Sequence, residues 1–566
     1  MPSMTGSRLF AEMLKGYGVT HVFFVPTILM EALAEMDGLG VQKILTHGEK
    51  SAAYMADGYA RAKHAPGVCM AQQIGASNLA AGLRDAFMGG TPLIAITGGP
   101  SGAGRYRHAY QEVEDLGQFD SVTKLNMQLD DLARLPDLLR QMFRAATVGA
   151  PGPVHLRLKG SHGQVLDGVS DFEPLVEKQF SQVPAFRPGA DAERVREALA
   201  LLARAQKPVI VAGGGVVASR AHSELVALAE KLRIPVATSL TAKGAILDNH
   251  PLAVGCVGTY SRACANQVVS EADLVFFVGT HAGGQVTANW KIPAIGTAVI
   301  QLDIDGTQLG RNYPNTVPLL GDAKVTLKQM LEAAKNNEST SSRSWTDRVQ
   351  ALTSEWRSAM EAKLSSDAAP MRPERICREL TESLPADGVL VSDTGHAGMW
   401  SAQMFDITQP GQRYIRCEGS LGWGFPGAMG VKCALPDRPV VCFTGDGGFY
   451  YHVQELETAA RHRINLVVVV NNNGSLNQEI PLVNAAYREK RDDRSGELWR
   501  FQKEANLVKV AEALGCAAFR VEKAGQLKEL LPRALAMGRP VVLDCISDEQ
   551  ALAPTAWLPG GARGGY

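Results

Sequence analysis

Two short polar runs carry the most chemistry in this sequence. GDGGFYY begins at Gly445 directly after the apolar run VVCFT, and NNNGS begins at Asn471 directly after LVVVV. Apolar β-branched runs of this kind read as buried parallel strands, so both polar runs fall at carboxyl ends of strands, the edge where open α/β sheets bind ligands. Asp446 offers a hard carboxylate oxygen, and Asn473, 27 positions later, offers an amide oxygen. Gly445, Gly447 and Gly448 let the backbone approach a phosphate closely. Mg²⁺ prefers such an oxygen set and leaves coordination positions for phosphates. A GDG alone would be no more than a turn; its pairing with NNNGS is what gives it weight.

Three other segments stand out. Glu49 opens an Ala-, Gly- and Ser-rich helical stretch, HGEKSAAYMADGYARA, where an acid in the first turn also suits the helix dipole. DTGHAGMW follows the strand run VLVS and places Thr394, Gly395, His396 and Ala397 in a loop. The Gly-rich strip EGSLGWGFPGAMG, from Glu418, indicates close backbone packing.

Together these runs resemble the thiamin-diphosphate enzymes of the acetohydroxyacid synthase and pyruvate decarboxylase superfamily. PGPVHL, the AGGG run and the DID turn at Asp303 extend the resemblance over nearly the whole chain. It implies thiamin diphosphate and Mg²⁺ as cofactors, with the metal held by Asp446, Asn473 and the carbonyl of Ser475. The diphosphate would lie against Thr394, Gly395, His396 and Ala397 and against Gly445, Gly447 and Gly448. Leu421 would wedge the cofactor into a bent shape, and the Gly419 carbonyl would accept a hydrogen bond from its aminopyrimidine. Glu49 would bond the pyrimidine ring nitrogen from a pocket closed to water, favouring the tautomer that removes the thiazolium C2 proton. The resemblance further implies that Glu49 and the metal meet across a subunit interface, in a homodimer or homotetramer.

Substrate residues are less legible. Thr27, Ile28 and Leu29, in VFFVPTILMEAL, would narrow and dry a pocket. Gln111 is similar to a polar active-site glutamine of acetohydroxyacid synthases, and His108 is a neighbouring candidate. Glu479, six residues beyond Asn473, stands where pyruvate decarboxylases carry a catalytic glutamate. The central-domain run GTHAGGQVT lacks the arginine with which the family holds FAD, so the residues argue more against FAD than for it. These readings point to decarboxylation of a 2-oxo acid such as pyruvate with transfer of the acyl anion to a carbonyl acceptor. A nonligating decarboxylase or hydroxyketone lyase is the enzyme alternative; a catalytically weak cofactor-binding regulatory subunit is the alternative of another class.

The elements that must position these residues follow from pattern and length. A chain of 566 residues exceeds one hydrophobic core. Strand-like runs alternate with helical periodicity throughout, which predicts α/β units with doubly wound parallel sheets. Three domains are expected: residues 1–165 (pyrimidine-binding), 190–335 (central, Rossmann-like) and 371–550 (diphosphate- and Mg-binding). The stretch from Asp167 to Gly189 and the polar run KNNESTSSRS read as connections, and the tail from Leu552 as a frayed end. A net charge of -1 gives no field for nucleic acid or an anionic membrane, so a small molecule is the expected partner. Nine scattered cysteines without a CxxC pair, and no signal-like or membrane-length apolar stretch, predict a cytoplasmic protein.

Overall fold

The computed structural model describes residues 3–102, 104–334, 342–488, 493–502 and 505–561. Most of the run KNNESTSSRS, residues 335–341, lies outside them, as do the last five residues of the tail.

Three six-stranded sheets organise the chain, and every pairing within them is parallel. After a short strand β1 (Ser3–Thr5), the first sheet contains β2 (His21–Phe24), β3 (Gln42–Leu45), β4 (Gly67–Ala71), β5 (Leu93–Gly99), β6 (Leu125–Leu129) and β7 (Val154–Lys159). Its order is β3-β2-β4-β5-β7-β6. A short strand β8 (Val169–Asp171) pairs antiparallel with β1. The second sheet is built from β9 (Pro208–Ala212), β10 (Val236–Thr238), β11 (Ala253–Cys256), β12 (Leu274–Val278), β13 (Ala298–Asp303) and β14 (Val317–Leu320), in the order β11-β10-β9-β12-β13-β14. The third contains β15 (Val389–Ser392), β16 (Arg413–Arg416), β17 (Val440–Gly445), β18 (Val467–Asn472), β19 (Ala517–Val521) and β20 (Val541–Ile546), in the order β16-β15-β17-β18-β20-β19.

The first and third sheets therefore share one topology, the strand order reversing beside the first strand in each. The second has the Rossmann order, reversing between β9 and β12. Reversal points are where the loops on either side diverge and leave a crevice, so the third sheet opens between β15 and β17.

The first and third domains share a continuous core. The Glu49–Lys63 helix packs along the Gly424–Ala434 helix, and Ala52, Ala56 and Ala60 of the one join Phe425, Ala428 and Val431 of the other in a single buried cluster. Small side chains make this approach possible: a Cβ at Gly430 would overlap the carbonyl of Met55.

The connections carry more structure than their composition suggests. The stretch from Asp167 to Gly189 is anchored by the β1–β8 ribbon and by buried Phe172, Phe180 and Val183. Residues 552–561 of the tail do not fray: Ala553 and Leu558 are buried, and the Trp557 carbonyl accepts from Asn266 Nδ2 at 3.0 Å. Backbone groups without regular structure are here satisfied by side chains of two domains, which composition alone does not disclose. Among the described residues no helix is long and apolar enough to cross a membrane.

Candidate active site

The crevice of the third sheet holds a cavity of about 260 Å³. Its floor is formed by the ends of β17 and β18, where Gly445 pairs with Asn471. Asp446, buried at 2% exposure, starts a short helix immediately after β17. The Gly447 N–H donates to its Oδ1 at 2.8 Å, and the Ser475 N–H donates to Oδ2 at 3.0 Å. Gly474, at φ +70, turns the chain after Asn473 so that Ser475 can reach back. Asn473 Oδ1 accepts from the Ser475 N–H and hydroxyl at 3.0 and 2.9 Å. Burial pushes the Asp446 carboxyl up to about 7, although the donated N–H bonds pull the other way. A buried carboxylate in this position gains most from a cation that offsets its desolvation.

The opposite wall is the loop after β15. Thr394, Gly395, His396 and Ala397 line the cavity, as do Gly419 and Leu421 of the Gly-rich strip. Asp393, with a carboxyl raised by burial to about 6, organises this wall. It accepts from the N–H groups of Thr394 at 2.7 Å and Gly422 at 3.1 Å and from the Thr444 hydroxyl at 3.0 Å. His396 donates from Nδ1 to Asn477 Oδ1 at 2.7 Å; burial holds its ring down to about 4, so it is neutral at neutral pH.

A metal and a diphosphate fit this site on the chemistry of the donors. Asn471 lines the cavity, and its buried side-chain oxygen has no hydrogen-bond partner among the described residues. Together with Asp446 and Asn473 the set is all oxygen. Among the described residues no group of three His, Cys, Asp or Glu side chains could hold a softer ion. One carboxylate and neutral oxygens leave a divalent cation with positive charge to spare for phosphate.

Not every sequence-predicted residue gathers here. Glu479 lines the cavity; Glu49, Gln111 and Thr27 do not. Glu49 is half-buried at the start of its helix, and Asn78 Nδ2 donates to its Oε2 at 3.2 Å. The dry pocket expected for it is therefore not formed by this chain alone. Gln111 and exposed His108 lie in an irregular loop, at φ +62 and +55. Ile28 and Leu29 are buried in the core of the first domain, so of that trio only Thr27 presents a side chain at the surface. Sequence reasoning missed Asn471, Gln478 and Tyr260, all of which line the cavity. Tyr260 comes from the central domain and lines the cavity beside Thr394 and Gln478; no motif marks it.

Comparison with known proteins agrees with this geometry. Residues 4–119 match the thiamine pyrophosphate enzyme N-terminal TPP binding domain, 195–330 the central domain and 393–545 the C-terminal TPP binding domain. A probable acetolactate synthase large subunit of Methanocaldococcus jannaschii is 33% identical over 99% of this chain and 94% of its own length. The chain belongs to the thiamin-diphosphate enzyme family, on its acetolactate synthase branch. The family's probable acetolactate synthase large subunit from Methanococcus aeolicus is 33% identical, over 92% of this chain and 88% of its own. The Escherichia coli acetolactate synthase isozyme 3 large subunit is 28% identical, over 94% and 93%. As a family member the chain is a thiamin-diphosphate-dependent enzyme, and the cavity between β15 and β17 is lined, Tyr260 apart, by residues of its matched C-terminal TPP binding domain.

Proposed function

We propose that this enzyme decarboxylates a 2-oxo acid, pyruvate foremost, and transfers the acyl anion to the carbonyl of a second molecule. The observation that carries the reading is the all-oxygen donor set of Asp446 and Asn473 facing the Thr394–Ala397 loop across one crevice, in a chain that aligns end to end with acetolactate synthases. Thiamin diphosphate supplies the carbanion and the electron sink that such chemistry requires. The chain's own residues do the rest. Asp446, Asn473 and the Ser475 carbonyl hold Mg²⁺, and the loop after β15 holds phosphate oxygens. Glu49 shares a proton with the pyrimidine ring, and Glu479, at the cavity wall, can move a proton at the substrate. In the overall reaction the carboxyl C–C bond of one pyruvate breaks to release CO₂, a new bond joins its acyl carbon to the second carbonyl carbon, and that carbonyl's oxygen takes up a proton.

The position of Glu49 supports a working unit of at least two chains. Among the described residues lining the Asp446 cavity, none comes from the first domain. Near Glu49 the surface carries apolar Ile74, 47% exposed, and the loop bearing Gln111 exposes Tyr106 and Tyr110. A second copy of the chain is the occupant this face fits, since it alone supplies the missing metal and diphosphate half.

The proposed reaction does not require FAD, and the residues argue more against FAD than for it. A second cavity, of about 420 Å³, lies between the central and first domains, but Asp303, Asp322 and Glu418 line it. Arg416, its guanidinium, is already engaged by Gln285 at 2.8 Å and by Glu418 at 3.6 Å. Nine unpaired cysteines, eight of them buried, favour a reducing cytoplasmic setting.

Product analysis tests the reading. Purified protein with thiamin diphosphate, Mg²⁺ and pyruvate is expected to release CO₂ and form acetolactate, and to form a mixed product when a second carbonyl compound is added. Aldehyde and CO₂ alone in both mixtures would overturn carboligation.

A further inference from the structure

The strip that carries Gly419 and Leu421 has no regular structure, yet three consecutive backbone N–H groups on it converge on one side chain of another domain. Asp85, on the Ala76–Met88 helix of the first domain, is fully buried. Its carboxylate accepts from the N–H of Glu418 at 2.9 Å, of Gly419 at 3.2 Å and of Ser420 at 3.0 Å. Such a run of N–H groups is an anion nest. Here the anion is built into the fold.

The nest is braced by charge. Arg61 Nη2 donates to Asp85 Oδ1 at 3.1 Å, while the same guanidinium grips Asp57 at 2.7 and 2.9 Å and Glu418 at 3.2 Å. Asp57 in turn accepts from the Trp423 indole at 2.9 Å, and Glu418 accepts from the Thr241 hydroxyl of the central domain at 3.1 Å. Side chains of all three domains thus hold the strip.

The consequence for Gly419 follows from peptide planarity. The Gly419 carbonyl and the Ser420 N–H belong to one planar trans unit and point in opposite directions. Pinning the Ser420 N–H on Asp85 therefore turns the Gly419 carbonyl away from Asp85. Gly419 lines the cavity, and among the described residues no heavy atom beyond its two chain neighbours stands within 4 Å of where its Cβ would be.

We propose that Asp85 is a positioning residue that aims the Gly419 carbonyl at the aminopyrimidine of the cofactor, and that this aim sets the rate of C2 deprotonation without contributing to diphosphate binding. The inference rests on the proposed cofactor pose, in which that carbonyl accepts the amino group. Replacing the carboxylate with an amide would turn N–H groups toward N–H groups.

The test is Asp85→Asn with three readouts. Amide hydrogen exchange of residues 418–420 in cofactor-free protein should quicken at least about tenfold; thiamin diphosphate affinity with Mg²⁺ should stay within about threefold; C2 proton exchange of the bound cofactor should slow at least about tenfold. Unchanged amide exchange, or faster amide exchange with unchanged C2 exchange, overturns the role. If the variant does not fold, the unmodified protein decides: amides 418–420 as slow as those of the Gly424–Ala434 helix support the nest, and amides as fast as an open loop overturn it. Failure of the unmodified protein to take up the cofactor would refute the cofactor pose, and with it the positioning role, while leaving the amide result to judge the nest separately.

Discussion

Gly58 stands against Gly427 so closely that a Cβ on Gly58 would overlap the Gly427 carbonyl oxygen and lie 2.9 Å from its Cα. This contact joins the helix that begins with Glu49 to the helix that follows the Gly419 strip. Both backbones sit in helices, so neither can yield to a side chain without moving a whole element. We expect Gly58→Ala to destabilise the protein by at least about 2 kcal/mol, despite the gain in helix propensity. A denaturant midpoint within error of the unmodified protein would show that the two helices can separate.

Asp446 should be the dominant cation ligand. Asp446→Asn keeps the shape and removes the one carboxylate of the donor set, so Mg²⁺-dependent binding of thiamin diphosphate should weaken at least about thirtyfold, or ~2 kcal/mol. Isothermal calorimetry with and without Mg²⁺ measures this, and equal affinities for both proteins would move the metal elsewhere.

Glu49 should matter for proton transfer and little for retention of the cofactor. In Glu49→Gln, C2 proton exchange is expected to fall about 10²-fold or more, with affinity for thiamin diphosphate nearly intact. NMR exchange of the C2 proton reads the first quantity and fluorescence titration the second. Unaltered exchange would strip Glu49 of its role.

Acid should weaken the contact between the first and third domains at His452. Its Nδ1 lies 2.8 Å from the Ser51 hydroxyl, and burial holds the ring down to about 4 against an ordinary 6.5. Because the unfolded chain takes up this proton first, stability is untouched above pH 6.5 and is lost as pH falls from 6.5 toward 4. At pH 5 the loss is about 2 kcal/mol from this group. His452→Gln should remove that share of the acid sensitivity, seen as a smaller drop in unfolding midpoint between pH 7 and pH 5. An identical drop in both proteins would assign the sensitivity to other groups.

The architecture and the meeting of Asp446 and Asn473 at one crevice were legible in the sequence because both depend on local pattern. Buried parallel strands write themselves as apolar runs such as LVVVV, and a strand-end ligand follows its strand directly, so Asp446 and Asn473 announce themselves. Residues recruited from a distance leave no such mark. Tyr260 enters the cavity from the central domain, and Asp85 reaches the strip from 333 positions away. Ile28 and Leu29 mislead for a related reason: apolar side chains beside a strand end can turn either to a pocket or to a core, and only packing decides. Glu49 is legible as a residue type but not as a complete environment, since its own chain supplies Asn78 and leaves its other side open.

The glycine contact between the two helices has a mechanical consequence. One helix carries Glu49 at its tip, and the other is continuous with the strip that carries Gly419 and Leu421, so a single stiff strut bears both. A displacement of either end is delivered to the other through backbone rather than through mobile side chains.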